Sequence, residues 1–378
     1  MRSSRRRAVE SGHPWIFSGA VQRLEGAPTV GALVNVCAED GTFLAAGHYG
    51  ADSIAVRVLS TAPIHAPQAF LSDAISAAQA VRDSLVLREQ GTNAFRLINA
   101  EGDGLPGLVI DRYDRTLVVQ CHSEGMQAWK HHLREVLQGH SDVSTVVDRS
   151  PGRAPDEVSP LEFGELSEPM IDENGLQFRV NCRTGQKTGF FLDQRENRAL
   201  LRRYARGRTV LNAFCYTGGF SVYALAGGAR EVWSVDSSED AVLRAEENVS
   251  CNAVGGAHRA LQADCLQLLR DLPQSFDLIV LDPPAFVKQR SALRGGIKGY
   301  TSINYQALRQ LPPGGLLFTF SCSAFVSFEQ FRETVLASAQ RAGRAVRILH
   351  RLGAAPCHPV RLTHPEGEYL KGLVLYVE

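Results

Sequence analysis

The chain has 378 residues, 44% hydrophobic and 21% charged, a composition ordinary for a soluble globular protein and long enough for two or three domains. Forty basic side chains balance forty acidic ones, which argues against non-specific binding of nucleic acid over the whole surface and leaves only local patches: Arg2, Arg5, Arg6 and Arg7, HHLR and LRRYARGR. No stretch is long and apolar enough to span a bilayer, the first residues lack a secretory-signal pattern, and the eight cysteines and eleven histidines show neither CxxC nor HExxH spacing, so a cytoplasmic protein with free thiols and no metal is expected.

In chain order, GALVNVCAEDGTFLAAGHYGADSIAVRVLS alternates β-forming runs with turns, which predicts a small β-barrel over residues 1–66. APIHAP (62–67) reads as a hinge. Helical spacing of apolar residues predicts a helix over 69–88, and FRLINAEGDGLPGLVIDRYDRTLVVQCHS divides at its turns into antiparallel strands. A helix at about 127–137 and the strand VSTVVDR complete a small α+β module over 67–163. The proline-rich SPGRAPDEVSP lies near its end.

From 164 to 378 the pattern becomes strand–helix alternation. TVLNAFC, EVWSVD, HRALQAD and GLLFTFS are strand signals each followed by a helical one, and FDLIVLD, the most strongly buried run, is followed directly by GLLFTFS. Such alternation predicts a mostly parallel sheet covered on both faces, a doubly wound α/β domain. RAVRILHRLG and YLKGLVLYVE have no clear helix between them and predict an antiparallel terminal hairpin at one edge.

Ligands of open parallel sheets bind beyond the carboxyl ends of the strands. The first strand ends in Asn212-Ala213-Phe214-Cys215-Tyr216-Thr217-Gly218-Gly219, the second in Asp236-Ser237, the third in Asp264-Cys265, and the fourth in Asp282-Pro283-Pro284-Ala285-Phe286. Neither GxGxxG nor a P-loop is present, so a dinucleotide or a nucleoside triphosphate is a poor fit. A Gly-Gly turn lets the backbone approach a small ligand. An acid after the second strand can take ribose hydroxyls, and one after the third can accept an adenine amino group. A nucleoside bearing an amino-acid arm, S-adenosylmethionine, satisfies all three. Pro283 and Pro284 stiffen the fourth strand end and leave an acceptor-rich edge suited to a planar base with an exocyclic amine, with Phe286 as a stacking face.

The fifth strand ends in Ser321-Cys322-Ser323. A thiol at the rim of such a pocket suits one acceptor, cytosine carbon-5. A thiolate adding to carbon-6 makes the ring enamine-like, so that carbon-5 attacks a sulfonium methyl group; a base then removes the carbon-5 proton and the thiolate leaves. Cys322 is the predicted nucleophile, Cys215 is read as pocket lining, and Cys37, Cys121, Cys182, Cys251, Cys265 and Cys357 as packing.

These motifs together resemble the RlmI type of class I methyltransferases, which methylate carbon-5 of a cytosine in 23S ribosomal RNA. HPWIFSGAV is similar to the start of the family's RNA-binding PUA domain, and INAEGDGLPGLVIDRY to its central module. GQKTGFFLDQRENR, NAFCYTGGFSVYA, VDSSEDAV, LDPPAFVK, FTFSCS and HPEGEYLKG follow in the family's order. The resemblance implies a PUA-like domain (1–66), a central module (67–163) and a Rossmann-like methyltransferase domain (164–378). It implies cofactor contacts at Lys187, Thr188, Gly189, Gln194, Asn212, Phe214, Tyr216, Thr217, Gly218, Gly219, Asp236, Ser237, Asp264, Cys265 and Asp282, and substrate contacts at Pro283, Pro284, Phe286 and Lys288. Cys322 matches the family's nucleophile. Glu366 in HPEGEYLKG is the first choice of base, with Asp282 as the alternative. The implied partner is 23S rRNA or a large-subunit assembly intermediate, and no membrane; the oligomeric state is open between monomer and homodimer. The rival readings are a guanine-N7 or other rRNA base methyltransferase on the same fold, and a non-catalytic RNA-binding assembly factor.

Overall fold

The computed structural model describes residues 9–153, 157–165 and 168–378; Arg2, Arg5, Arg6 and Arg7 lie outside them. The chain forms two compact units. One comprises Met1–Ile171, Val180–Phe190 and Pro356–Gly367, the other Asp172–Arg179, Phe191–Ala355 and Glu368–Glu378.

The first unit opens with an antiparallel sheet of β1 (Trp15–Phe17), β2 (Leu33–Cys37), β3 (Phe43–Tyr49) and β4 (Ile54–Ser60), in the order β1-β4-β3-β2. Ile16, Val36, Ala45 and Val56 form its core with Val9 and Ala20. Helix α1 (Pro67–Asp83) starts with a proline at its first turn, where no backbone donor is lost. It buries Leu71, Ile75, Ala78 and Arg82, one helical face. Arg82 is tolerated there because it pairs with Asp103 and donates to the carbonyls of Arg96 and Cys357.

A second sheet joins β5 (Ala94–Asn99), β6 (Leu108–Tyr113) and β7 (Thr116–Cys121) as antiparallel neighbours, with β8 (Thr145–Asp148) parallel to β7. The helix expected at 127–137 is two helices, α2 (Glu124–Ala128) and α3 (Lys130–Gln138). Ser123 caps α2 by accepting from the Met126 N–H, and Trp129 between the two has φ −91° and ψ 6°, outside the helical range.

The second unit carries a seven-stranded sheet. Its strands are β11 (Thr209–Ala213), β12 (Glu231–Asp236), β13 (Ala257–Gln262), β14 (Leu278–Leu281), β15 (Leu316–Ser321), β16 (Val346–Leu352) and β17 (Lys371–Val377), in the order β13-β12-β11-β14-β15-β17-β16. The pairs from β13 through β15 are parallel, and β17 runs antiparallel between β15 and β16. The terminal strands thus do pair as a hairpin, but the last of them is interior and β16 forms the edge.

Helices α4 (Arg195–Tyr204), α5 (Gly219–Ala226), α6 (Glu239–Ser250), α7 (Cys265–Leu268), α8 (Leu293–Gln310) and α9 (Phe328–Arg341) connect the strands. Two apolar clusters are built on residues that alternate along β14 and β15: Ile279, Leu281 and Leu317 in one, Leu278, Val280, Leu316 and Phe318 in the other. Every residue of both strands is buried, which is why they read as continuous apolar runs. Strand order reverses at β11, so the crevice between the carboxyl ends of β11 and β14 is the topological switch point where ligands of such sheets bind.

Candidate active site at the sheet's carboxyl edge

The turn leaving β11 is strained. Phe214 and Tyr216 both occupy the left-handed region, at φ 59° and 48°, an arrangement that costs on the order of 1–3 kcal/mol per non-glycine residue and collects at functional sites. Neighbours hold it. The Tyr216 N–H donates to Asp236 Oδ2 at 2.9 Å, the Phe214 N–H to Cys265 Sγ at 3.2 Å, and Asn248 Nδ2 to the Thr217 carbonyl at 2.9 Å. Gly218 lies at φ 77°, and a Cβ there would stand 2.8 Å from that of Ala245 on α6. Only glycine lets the turn sit down on that helix. Gly219 then opens α5.

Two polar atoms, Asn212 Oδ1 at the end of β11 and Thr217 Oγ1 in the turn, are buried and lack a hydrogen-bond partner among the described residues. Asn212 spends its amide nitrogen on Ser221 Oγ at 2.9 Å. Buried polar atoms left unmet are costly and point to a missing partner. Asp236 also accepts from the Ser238 N–H at 3.0 Å, and Ser237 beside it is exposed. Asp264 is exposed and caps α7 by accepting from the Leu266 N–H at 2.8 Å. Burial raises the Cys265 thiol to about 12 and the Cys215 thiol well above its ordinary value, so both are inert packing thiols.

Asp282, past the end of β14, accepts from Gln194 Nε2 at 3.0 Å. Gln194 in turn accepts from Asn197 Nδ2 at 2.6 Å. Pro283 is buried while Pro284 and Lys288 are exposed. The half-buried Phe286 packs on Tyr300 of α8, with ring centroids 4.7 Å apart.

Ser321-Cys322-Ser323 leaves β15 beside this loop. Ser321 and Ser323 are fully buried. Ser323 Oγ meets the Tyr300 hydroxyl at 2.8 Å and accepts from the Val287 N–H at 3.1 Å. Between them Cys322 is half-buried, its Sγ 3.9 Å from the Pro283 carbonyl. Ser323 therefore ties the end of β15 to the loop that follows β14, and the thiol stands beside the Pro283 carbonyl.

The second unit brings together Gln194, Asn212, the 214–219 turn, Asp236, Ser237, Asp264, Cys265, Asp282–Pro284, Phe286, Lys288 and Cys322. Lys187, Thr188, Gly189 and Glu366 belong to the first unit. There Lys187 is exposed at φ 51°, and Thr188 is fully buried, bonded to Asp111 at 2.6 Å and to the Tyr113 hydroxyl at 2.8 Å. Gly189 packs where a Cβ would stand 2.6 Å from Val180. Glu366 is exposed, 3.9 Å from His364 Nε2.

The second unit's residues fit S-adenosylmethionine. An unmet carbonyl oxygen at Asn212, an unmet hydroxyl at Thr217 and the Asp236 carboxylate offer acceptors for an ammonium and for ribose hydroxyls, and the half-buried Phe214 and Tyr216 give apolar walls. Among the described residues no group of three His, Cys, Asp or Glu side chains is placed to hold a metal ion.

Three residues of the site were not singled out from the sequence: Asn197, Tyr300 and Lys371. Asn197 acts on Gln194, three residues before it, and Tyr300 through contacts with Phe286 and Ser323 that no local pattern encodes. Lys371 left a signal, a lysine at the head of the apolar run GLVLYV. It is buried, and its Nζ donates to the Ser323 carbonyl at 2.8 Å.

The family model for S-adenosylmethionine-dependent methyltransferases matches residues 138–364, and that for the PUA-like domain residues 1–61. The chain is similar to ribosomal RNA large subunit methyltransferase I of Shewanella denitrificans, with 41% identity covering 100% of this chain and 98% of that relative. It is similar to the protein of the same name from Shewanella amazonensis, with 40% identity and the same coverage. Among solved structures it is similar to a putative methyltransferase complexed with SAH, with TM-score 0.84 and 21% identity over 99% of this chain and 98% of that one. At that identity the likeness speaks for the fold.

Proposed function

Because the chain belongs to the S-adenosylmethionine-dependent methyltransferase family that includes ribosomal RNA large subunit methyltransferase I, we propose that it methylates carbon-5 of a cytosine in 23S ribosomal RNA through a covalent adduct to Cys322. The observation that carries this reading is the thiol itself, flanked by two buried serines beside the Asp282-Pro283-Pro284 loop, with Sγ 3.9 Å from the Pro283 carbonyl.

When bound, the cofactor supplies an electrophilic sulfonium methyl group. Cys322 adds to carbon-6 of the ring and forms the S–C6 bond, which places electron density on carbon-5 for attack on that methyl. The base that then takes the carbon-5 proton is drawn from Glu366 and Asp282, and expulsion of the Cys322 thiolate restores the aromatic ring. The edge of the Asp-Pro-Pro loop and the face of Phe286 receive the flipped base. Asn212, Thr217 and Asp236 orient the cofactor. The substrate is the cytoplasmic 23S rRNA, free or in a large-subunit assembly intermediate, held outside the reacting base by the PUA-like domain.

Mass mapping of rRNA from cells with and without the protein tests the acceptor: one 5-methylcytosine should vanish from 23S rRNA. RNA carrying 5-fluorocytosine tests the adduct, because the missing carbon-5 proton blocks elimination. A stable protein–RNA bond that Cys322→Ala abolishes is expected. Loss of an N7-methylguanine instead, with Cys322→Ala fully active, would point to the rival acceptor.

A further inference from the structure

Lys371 is 6% exposed, and a lysine is seldom buried to this degree unless its charge is put to use. It stands opposite Ser321 in the antiparallel register of β15 and β17. Its ammonium donates to a neutral acceptor, the Ser323 carbonyl at 2.8 Å, one residue beyond the thiol. We propose that Lys371 is the positioning residue that makes Cys322 a nucleophile: its ammonium clamps the turn that carries the sulfur and supplies the positive charge that favours the thiolate. This rests on the reading of Cys322 given above.

The surroundings agree. Burial brings Lys371 down to about 8, and a charge on Cys322 opposes that shift more strongly than Glu368 does. Lys371 thus keeps its proton at pH 7, and Cys322 is the foremost group able to stabilise it. Glu368 apart, the titratable groups named on the neighbouring elements have other partners. Tyr300, on α8, is bonded to Ser323 Oγ, and burial raises its hydroxyl above the ordinary value. Asp282, after β14, is held by Gln194. On β16, His350 meets the Tyr204 hydroxyl at 2.7 Å, and Arg351 lies over the Phe328 ring at 5.1 Å. A thiol beside a fixed cation ionises more readily than a free one.

The test is the pH dependence of alkylation at Cys322. Full-length protein is treated with iodoacetamide and followed by peptide mass, with the exposed Cys37 as a control in the same digest. Lys371→Met should move the Cys322 midpoint upward and slow its alkylation at pH 7 by about tenfold while Cys37 is unchanged; Lys371→Arg should restore most of the loss. An identical Cys322 profile in Lys371→Met overturns the proposal. If that variant does not fold, the reciprocal titration decides. In protein labelled with ¹³C-lysine, Cys322→Ala should lower the Lys371 midpoint, and an unmoved midpoint rejects the pairing. Neither measurement uses RNA. A coupled pair in a protein whose Cys322→Ala variant still methylates would sink the nucleophile and spare the pair; an uncoupled pair with a trapped adduct would do the reverse.

Discussion

Gln194 donates its side-chain amide to the Asp282 carboxylate at 3.0 Å, and Asn197 decides which end of that amide faces the acid by donating to Gln194 Oε1 at 2.6 Å. The pair makes Asp282 an oriented carboxylate rather than a loose one. Gln194→Glu replaces the donor with a second acid and should reduce methyl transfer by about 10–100-fold, the equivalent of ~1.5–3 kcal/mol for losing a hydrogen bond to a charged group. Gln194→Ala should do less harm, because water can take the vacated place. Single-turnover rates of the two variants check the order; a Glu variant faster than the Ala variant would mean that Asp282 carries no charge when it acts.

Two glycines of α8 make room for the Asp-Pro-Pro loop. A Cβ at Gly296 would stand 2.2 Å from Val287 Cγ2 and 3.0 Å from the Phe286 carbonyl, and one at Gly299 would stand 2.9 Å from the Phe286 ring. Gly296→Ala therefore has to displace the loop, at a cost of about 1–3 kcal/mol for overpacking. Urea unfolding should show that loss together with a drop in methyl transfer. Wild-type stability in this variant would show that the loop and helix separate freely.

The same glycines explain why α8 did not emerge from the sequence. Gly295, Gly296 and Gly299 break the apolar periodicity by which a helix is recognised; Gly296 and Gly299 are there for close approach rather than propensity, and Gly295 faces open space. The hairpin of β9 (Met170–Glu173) and β10 (Leu176–Arg179) was passed over although Asn174 and Gly175, both at positive φ, form its turn; four-residue strands leave too short an alternation to stand out. The parallel sheet was plain because β14 and β15 are buried throughout. Asp236, Asp282 and Cys322 were visible for a related reason, being polar groups that end apolar runs. Whether a polar side chain at such an end faces a ligand or a neighbour is set by contacts distant in sequence. Thr188 bonds to Asp111 and Tyr113, partners that no local pattern names.

Thr217 Oγ1 is buried without a partner among the described residues. Thr217→Val keeps the shape and removes the hydroxyl. The protein without cofactor should gain about 1 kcal/mol of stability, the cost of an unmet buried group, and should bind S-adenosylhomocysteine about fivefold more weakly. Thermal unfolding and calorimetry read the two effects separately. Unchanged affinity would remove Thr217 from the cofactor site whatever happened to stability.

His48, in the first unit, gives a stability signal independent of the active site. Its ring packs edge-on against Trp129 at 4.4 Å and against Gly125, where a Cβ would stand 2.0 Å from the imidazole. Neither ring nitrogen has a hydrogen-bond partner among the described residues. Burial first, and then the Arg57 charge, lower its pKa to about 4. The unfolded chain takes up a proton on this ring below about 6.5, whereas the folded protein does so only near 4. Between those values the unfolded state binds more protons, so stability must fall as pH drops from 6.5 to 4, by up to about 3 kcal/mol. His48→Gln cannot take up that proton. The difference in unfolding free energy between wild type and variant should therefore shift in the variant's favour across that window and level off below pH 4. Parallel pH profiles for the two proteins would show that the imidazole reaches water in the folded state and that its packing against Gly125 and Trp129 opens in solution.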